Sequence, residues 1–147
     1  MKITRRLEFD AGHRIPQHGS QCRNLHGHRY VIEVSLAGDT VADAGSASEG
    51  MVLDFSDIKS IVNERIVQRW DHAFLVYQGD ETVRSFLESL PGHKTVVLPV
   101  IPTAENLARH AFDALAPLFD ERYRGRLSLT RVRLYETPNC WADAEAL

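Results

Sequence analysis

The sequence predicts an α+β fold, with a four-stranded antiparallel sheet and helices packed on one of its faces. Segments in which apolar and polar residues alternate lie toward the two ends of the chain, at 3–13, 26–36 and 127–137. Between them the apolar spacing changes from two residues to three or four, as in amphipathic helices. Strands grouped at the two ends, with helices between them, favour an antiparallel sheet over an alternating parallel one.

Two strands are predicted in the first 40 residues. In the first, at 3–13, Leu7, Phe9 and Ala11 share one face because alternate residues of a strand point the same way. In the second, at 26–36, polar residues alternate with four apolar ones, Tyr30, Ile32, Val34 and Leu36. Residues 38–50 are rich in Gly, Ala, Ser and Asp and are expected to form a loop, and residues 51–53 to add a short extended piece.

Three helices are predicted in the middle of the chain. The first begins at Phe55, with Ser56 or Asp57 near its N-cap, and ends near residues 69–70. A short second helix covers residues 81–90 and stops at the Pro-Gly pair that follows it. Thr103 is the expected N-cap of the third helix, and Pro117 is expected to end or kink it.

The final part of the chain returns to strands. Residues 127–137 form a strand with Val132 and Leu134 on one face, a Pro-Asn turn follows, and residues 140–146 return as the fourth strand. A length of 147 residues is typical of one domain, so residues 1–147 are interpreted as a single domain.

The composition is that of a globular protein and disfavours several classes of function. Hydrophobic residues make up 44% of the chain and charged residues 25%, with a net charge of −3. A negative charge argues against a general nucleic-acid binder, and no apolar run approaches the ~20 residues of a membrane span. There is no apolar signal segment at the N-terminus, and two cysteines are too few for a disulfide framework. We therefore expect a cytoplasmic protein that binds neither nucleic acid nor membrane.

Three histidines are candidates for a metal site. His26 and His28 are two residues apart on a predicted strand, so their rings project from one face, and Gly27 between them permits close approach of a backbone or ligand. His13 ends the preceding strand and meets the other two if the strands pair through their connection. Three imidazoles with an open fourth position are typical of catalytic Zn²⁺. The alternative is three unrelated polar residues at strand ends.

Cys22 lies in the connection between those two strands, four residues before His26. One interpretation is a fourth metal ligand, which would close the site. A second is a thiolate of lowered pKa beside the metal, able to act as a general base. A third is an inert loop thiol, and the spacing alone does not decide among them.

Carboxylates mark two further positions. Asp71 precedes His72 directly after the first helix, where a carboxylate can hold the ring's tautomer or tune its pKa. The alternative is a histidine favoured by the dipole of the helix C-terminus. Glu136 ends the apolar face of the strand at 127–137 and needs hydrogen-bond donors. Those donors are the paired N–H groups of a ligand such as a pterin or guanine, or an arginine among Arg14, Arg131 and Arg133.

Five segments, taken in order, resemble the 6-pyruvoyltetrahydropterin synthase / 6-carboxytetrahydropterin synthase family. They are residues 9–13 (FDAGH), 22–28 (CRNLHGH), 71–72 (DH), 102–107 (PTAENL) and 135–137 (YET). Each is unspecific alone, but the five together extend over nearly the whole chain. The three residues between Cys22 and His26 are similar to the bacterial 6-carboxy branch, which serves the synthesis of queuosine and related deazapurines.

The resemblance implies a tunnelling fold (T-fold) and an assembly. In this fold each subunit supplies a four-stranded antiparallel sheet with helices on one side. Three subunits close their sheets into a barrel, and two trimers stack as a homohexamer with active sites between subunits. The implied reaction converts 7,8-dihydroneopterin triphosphate to 6-carboxy-5,6,7,8-tetrahydropterin, acetaldehyde and triphosphate.

The resemblance also implies roles for individual residues. Zn²⁺ is held by three histidines, His13, His26 and His28. Cys22 takes a proton from the substrate side chain, and Asp71 and His72 relay it. The pterin ring is bound by Glu136, with Thr103 and Glu105 as further substrate contacts, although Glu105 is equally explained as a favourable carboxylate in the first turn of a helix.

Other functions remain as alternatives at this point. The 6-pyruvoyl enzyme eliminates triphosphate without cleaving a C–C bond, and a side-chain aldolase would act on unphosphorylated pterin. A zinc-stabilised binding module would have a closed metal site and no catalysis. A metal-dependent hydrolase would use the same histidines with Glu136 as its base.

Overall fold

Six strands form one sheet in this computed structural model, which describes residues 1–146. Leu147, the last residue of the predicted single domain, lies outside the described residues. The strands are β1 (Lys2–His13), β2 (His26–Gly38), β3 (Ala73–Tyr77), β4 (Thr95–Leu98), β5 (Leu127–Thr137) and β6 (Cys140–Glu145). Their order across the sheet is β4-β3-β1-β2-β5-β6.

The predicted antiparallel sheet is present and is larger than expected. Strands β1, β2, β5 and β6 pair antiparallel with one another in the order β1-β2-β5-β6, as predicted, whereas β3 pairs with β1 in parallel and β4 pairs with β3 in parallel. The prediction of four strands was therefore wrong by two. The sequences of β3 (AFLVY) and β4 (TVVL) are continuous short apolar runs, as expected for parallel strands, and lack the alternation that reveals a half-exposed strand.

The helices that begin at Phe55 and Ala104 pack on one face of the sheet, as predicted, whereas the helix at Glu81–Glu88 packs on the other face, against Val76, so that part of the prediction was wrong. The first is α1 (Phe55–Val62), which continues through a π-helical turn (Asn63–Val67) into α2 (Gln68–Trp70). Its N-cap is Asp54, whose Oδ1 accepts a 2.7 Å hydrogen bond from the Ser56 amide, so the expected cap at Ser56 or Asp57 was wrong. Both of those residues already lie inside the first turn. Residues 51–53 lie outside the strands, but Val52 and Leu53 are buried in the core.

Two further helices follow. The second predicted helix, α3 (Glu81–Glu88), begins after Asp80 and ends two residues earlier than expected. The third, α4 (Ala104–Tyr123), begins at its predicted N-cap, Thr103, whose Oγ1 accepts a 3.2 Å bond from the Asn106 amide. Of the two effects expected of Pro117, ending or kinking the helix, the first was wrong, because α4 continues six residues beyond it to Tyr123. Pro117 is exposed, so its ring and missing N–H disturb only the solvent side of the helix.

The main core lies between α1, α2, α4 and one face of the sheet. From β2 it receives Tyr30, Ile32, Val34 and Leu36, all fully buried. The facing side of α4 contributes Leu107, Ala108, Ala111 and Leu115. The opposite face holds α3 and its small apolar cluster at β3, and elsewhere it carries cross-strand ion pairs, among them Arg29 with Asp10 and Arg133 with Asp143. No helix within residues 1–146 has the length and apolar character that crossing a membrane requires.

Candidate active site

The three predicted histidines meet where β1 ends and β2 begins. The antiparallel register sets His13 opposite His26 and Ala11 opposite His28, so all three rings project from the face of the sheet that carries the main core. The ring centroids are 4.6 Å apart for His13 and His26, 5.2 Å for His13 and His28, and 5.0 Å for His26 and His28. The structure thus brings together the side chains that the alternating pattern placed on one face.

Gly27 permits this arrangement through the close approach of the two strands. A Cβ atom at Gly27 would lie 2.9 Å from the carbonyl oxygen of Ala11, closer than real Cβ contacts. The neighbour is the backbone of β1, which is one of the two expected explanations of this glycine. The absence of a side chain keeps β1 and β2 at the separation that brings the imidazoles into one cluster.

Backbone carbonyls orient two of the rings. The Nδ1–H of His13 donates to the Pro102 carbonyl at 2.7 Å, and the Nδ1–H of His26 donates to the Asn24 carbonyl at 2.7 Å. A carbonyl can only accept, so each of these rings carries its proton on Nδ1 and turns an unprotonated Nε2 toward the cluster. This is the tautomer that a metal ligand requires.

Burial prepares the histidines for metal binding. His13 is completely buried, and this desolvation lowers its pKa, as it does for His28. Both Nε2 atoms are buried without a hydrogen-bond partner within the described chain. A lowered pKa keeps the imidazole neutral near pH 7, and an unpartnered buried nitrogen is costly unless something binds it.

The donor set fits a zinc ion. One ligand atom from each of His13, His26 and His28 lies within 4.8 Å of the other two. Two nitrogen atoms that are each about 2.0–2.1 Å from a shared tetrahedral zinc lie closer to each other than this limit, and imidazole is a preferred zinc ligand. These three residues would hold the metal.

Glu136 lies against the same cluster. Its Oε1 is 3.2 Å from His13 Nε2 and 3.7 Å from His28 Nε2. The alternative of an arginine partner is not found among residues 1–146, because the candidate arginines have other partners: Arg14 pairs with Asp80, Arg131 with Glu33, and Arg133 with Asp143. The carboxylate therefore faces the histidines, where it can bind a ligand beside the metal or approach the metal itself.

Cys22 lies in a 3₁₀ turn (Gln21–Arg23) inside the connection between β1 and β2. It is a free, half-buried thiol, and its carbonyl accepts a 2.8 Å hydrogen bond from the Ile15 amide. Burial raises the pKa of Tyr30, and the charges of Glu136 and Cys22 raise it further. The Tyr30 ring in turn contacts His13 and His28, at centroid distances of 5.8 and 5.7 Å.

Asp71 and His72 form a pair just before β3. Asp71 Oδ2 is 2.9 Å from His72 Nδ1, and Asp71 Oδ1 accepts a 2.9 Å bond from the amide of Asp10 on β1. That backbone bond is the main cause of the lowered pKa of Asp71. The His72 amide donates to the Asp10 carbonyl at 2.6 Å, and His72 has a left-handed φ of 57°. A non-glycine residue in this region is held there by its surroundings, here by β1, and its ring stays exposed.

Thr103 and Glu105 lie at the start of α4. The Thr103 hydroxyl serves as the N-cap of the helix, and Glu105 is an exposed carboxylate in its first turn. Both positions therefore have a structural explanation. The contact from this segment to the cluster is made by Pro102 through its carbonyl, a backbone group that sequence reasoning missed and that no side-chain pattern could have revealed.

The comparison with known families decides the relationship of this chain. The family model described as "6-pyruvoyl tetrahydropterin synthase" matches residues 2–146. The chain belongs to this family. The resemblance carried by the five motifs is thereby confirmed, and the family is one of enzymes, the tetrahydropterin synthases.

Individual relatives agree with the family match. A protein from Rickettsia bellii named 6-carboxy-5,6,7,8-tetrahydropterin synthase is 40% identical over 144 residues, which cover 97% of this chain and 99% of that protein. A protein of the same name from Haemophilus influenzae is 37% identical over 145 residues, covering 97% and 96%.

Solved structures share the fold of this chain. An uncharacterised protein from Wolinella succinogenes superposes with a TM-score of 0.81 at 20% identity, covering 100% of this chain and 98% of the other. The 6-pyruvoyl tetrahydropterin synthase of Plasmodium falciparum gives 0.74 at 17% identity, covering 99% and 97%. The T-fold expected from the family is therefore confirmed.

Proposed function

We propose that this protein is a zinc-dependent 6-carboxy-5,6,7,8-tetrahydropterin synthase of queuosine and related deazapurine synthesis. It would convert 7,8-dihydroneopterin triphosphate and water to 6-carboxytetrahydropterin, acetaldehyde and triphosphate. The observation that carries the proposal is the cluster of three imidazoles with Glu136 beside it. The two relatives at 37–40% identity, both named for the 6-carboxy product, support this branch of the family.

His13, His26 and His28 would hold the zinc, and their Nδ1 bonds to carbonyls support that role for His13 and His26. A zinc ion there supplies Lewis acidity to the hydroxyl oxygens of the substrate side chain. His13 and His28 remain neutral near pH 7, since burial lowers the pKa of each.

Cys22 would be the general base of the reaction. A thiolate in the connection between the two histidine-bearing strands can take a proton from the carbon chain of the substrate. Asp71 and His72 would relay that proton, with Asp71 holding the imidazole through the 2.9 Å contact to Nδ1. The His72 ring is exposed, so it is available to a substrate bound between subunits.

Glu136 would orient the pterin. A carboxylate accepts two parallel N–H bonds from the amino-pyrimidine edge of a pterin, which fixes the ring relative to the histidines. Its 23% exposed side chain is close enough to the cluster to act there and open enough to meet a ligand. Thr103 and Glu105 would add contacts from the start of α4.

The active protein would be a homohexamer made of two stacked trimers. Two unpaired sheet edges support closure of the sheet by further copies. Strand β1 pairs with β3 only through Ala11–His13, so no other strand of residues 1–146 pairs with residues 2–10 on that side, and β6 is an outer strand at the opposite end of the sheet. Edges of this length are normally covered in native proteins.

Product analysis tests the function directly. Zinc-loaded protein is incubated with 7,8-dihydroneopterin triphosphate, and the products are identified by mass. Acetaldehyde together with triphosphate supports the proposal. Triphosphate alone would assign the 6-pyruvoyl reaction, whose name the family model carries. No reaction from fully zinc-loaded protein would favour a binding module and refute the enzyme.

Single substitutions test the residue roles. Cys22→Ala is expected to keep zinc and lose turnover; loss of zinc as well would make the thiol a ligand. Alanine at any of the three histidines is expected to release the metal. Glu136→Gln is expected to weaken pterin binding by tenfold or more with little loss of zinc, whereas a matching loss of zinc would make the carboxylate a fourth ligand. Glu121→Gln, at an exposed position of α4, is the control.

A further inference from the structure

Arg14, the residue after His13, forms an ion pair with the buried carboxylate of Asp80. The guanidinium of Arg14 donates from Nε to Asp80 Oδ2 and from Nη2 to Asp80 Oδ1, both at 2.6 Å. Asp80 is only 5% exposed and is one of three buried polar or charged residues found among the described ones. Paired, parallel bonds of this kind set the position and the orientation of both side chains.

Asp80 is itself held by its neighbours along the chain. It is the N-cap of α3, its amide donates to the Tyr77 carbonyl at 2.9 Å, and its carbonyl accepts from the Arg84 amide at 2.9 Å. It therefore sits at a fixed point between β3 and α3. Hydrogen bonds from Arg14 are the main reason that the pKa of Asp80 is lowered, so this carboxylate is charged near neutral pH.

The loop that carries Cys22 is attached to this fixed point. The residue after Arg14 is Ile15, whose amide donates to the Cys22 carbonyl at 2.8 Å, and the Ile15 carbonyl accepts from the His18 amide at 3.1 Å. The hydrogen bond between Ile15 and Cys22 therefore closes a loop that starts next to the ion pair. Holding Arg14 in one place therefore also determines where the Cys22 backbone lies relative to His13.

We propose that Arg14 and Asp80 are positioning residues. Their ion pair fixes Arg14, the first residue of the loop that carries Cys22, to the start of α3 and so holds that loop at the histidine cluster. This inference rests on the proposed function, in which Cys22 removes a proton from the substrate. Proton transfer requires hydrogen-bond reach, and misplacement by about 1 Å can slow a reaction by about 10²-fold. The pair makes no contact with substrate in this role.

The chain offers a matched control for the pair. Arg133 donates to Asp143 from Nε and Nη2, both at 2.7 Å, across the neighbouring strands β5 and β6. Asp80→Asn and Asp143→Asn therefore remove the same charge from the same type of pair at two places. Both changes are made in a Cys140→Ser background, because Cys140 is the other free thiol and is exposed.

Three measurements on zinc-loaded protein test the proposal. In Asp80→Asn, hydrogen exchange of the Ile15 amide is expected to rise tenfold or more, and alkylation of the half-buried Cys22 thiol by iodoacetamide to rise at least threefold. Turnover is expected to fall 10- to 100-fold with KM changed less than threefold. Asp143→Asn is expected to leave all three unchanged. Faster Ile15 exchange with normal kcat, or no change in exchange, would overturn the proposal.

A second variant covers the case in which loss of the α3 cap unfolds the protein. Arg14→Lys leaves the cap and the positive charge in place but loses the two-pronged bond. It is expected to show the same three changes at smaller amplitude, and normal values for all three would overturn the proposal. Should the wild-type protein make no pterin product, the proposed function fails, and exchange at Ile15 with alkylation of Cys22 still decides whether the ion pair holds the loop.

Discussion

Pro117 interrupts the hydrogen bonding of α4, and replacing it with alanine should stabilise the protein. The residue lies at an interior position of a 20-residue helix that continues to Tyr123. An alanine there has an N–H that can donate to the carbonyl of Asp113, four residues earlier, which proline cannot do. Because Pro117 is exposed, the change removes no contact from the core.

The size of the effect follows from two limits. The difference in helix propensity between proline and alanine, about 3 kcal/mol in a helix interior, is the upper limit. The lower limit is the net value of one added backbone hydrogen bond, about 1 kcal/mol, because water can already solvate a carbonyl on the exposed side of the helix. We therefore expect Pro117→Ala to raise the free energy of unfolding by about 1–3 kcal/mol, which corresponds to a Tm increase of roughly 2–4 °C for each kcal/mol in a chain of this size.

Urea unfolding followed by circular dichroism, on metal-free protein at pH 7.5, measures this change. Glu121→Ala is the control, because it introduces alanine at another exposed position of the same helix without adding a hydrogen bond. A control effect equal to that of Pro117→Ala would attribute the gain to alanine itself. A gain below about 0.5 kcal/mol, within the ordinary range of surface substitutions, would refute the reasoning.

Three further predictions concern the cluster of histidines. Gly27→Ala forces a Cβ to within 2.9 Å of the Ala11 carbonyl oxygen and should weaken zinc binding at least tenfold in a competition assay. The control is Gly19→Ala, whose Cβ meets no atom within 4 Å and which should leave zinc affinity unchanged. Equal affinities of the two variants would contradict the account of strand spacing. Tyr30→Phe removes a buried hydroxyl without a hydrogen-bond partner within residues 1–146 and should stabilise metal-free protein by about 1 kcal/mol, so a loss of stability in urea would count against it. The pKa values of His13 and His28 are lowered in the folded protein, so the unfolded chain binds protons first as pH falls below the ordinary value of 6.5. Metal-free protein should therefore lose stability between pH 7.5 and pH 5.5, by at most about 1.4 kcal/mol per pH unit for each histidine. A free energy of unfolding that does not change over this range would contradict the prediction.

The parts of the structure that could be predicted from the sequence share one property: their signal is local and periodic. The strand at 127–137 was predicted with the bounds that the structure shows, and the meeting of His13 with His26 and His28 followed from strand parity and one assumed pairing. Both depend on the two-residue period of a strand, which any stretch of alternating residues displays.

The parts that could not be predicted depend on contacts between distant segments. Strands β3 and β4 have no alternation, and only their partners identify them as strands. The pairing of Arg14 with Asp80 joins residues 66 positions apart, and Glu136 could not be assigned to the histidines rather than to arginines without the fold. The continuation of α4 past Pro117 could not be predicted for a different reason, since exposure on one side of a helix decides whether a proline ends it.

The atoms that orient the rings of His13 and His26 belong to the main chain, at Pro102 and Asn24. Replacing the side chain of either residue leaves its carbonyl oxygen in place. A scan by alanine substitution would therefore identify the three imidazoles but not the two carbonyl oxygens that orient the rings of His13 and His26. Detecting that contribution requires chemistry on the peptide unit itself, such as replacing a single amide by an ester or thioamide during protein semisynthesis.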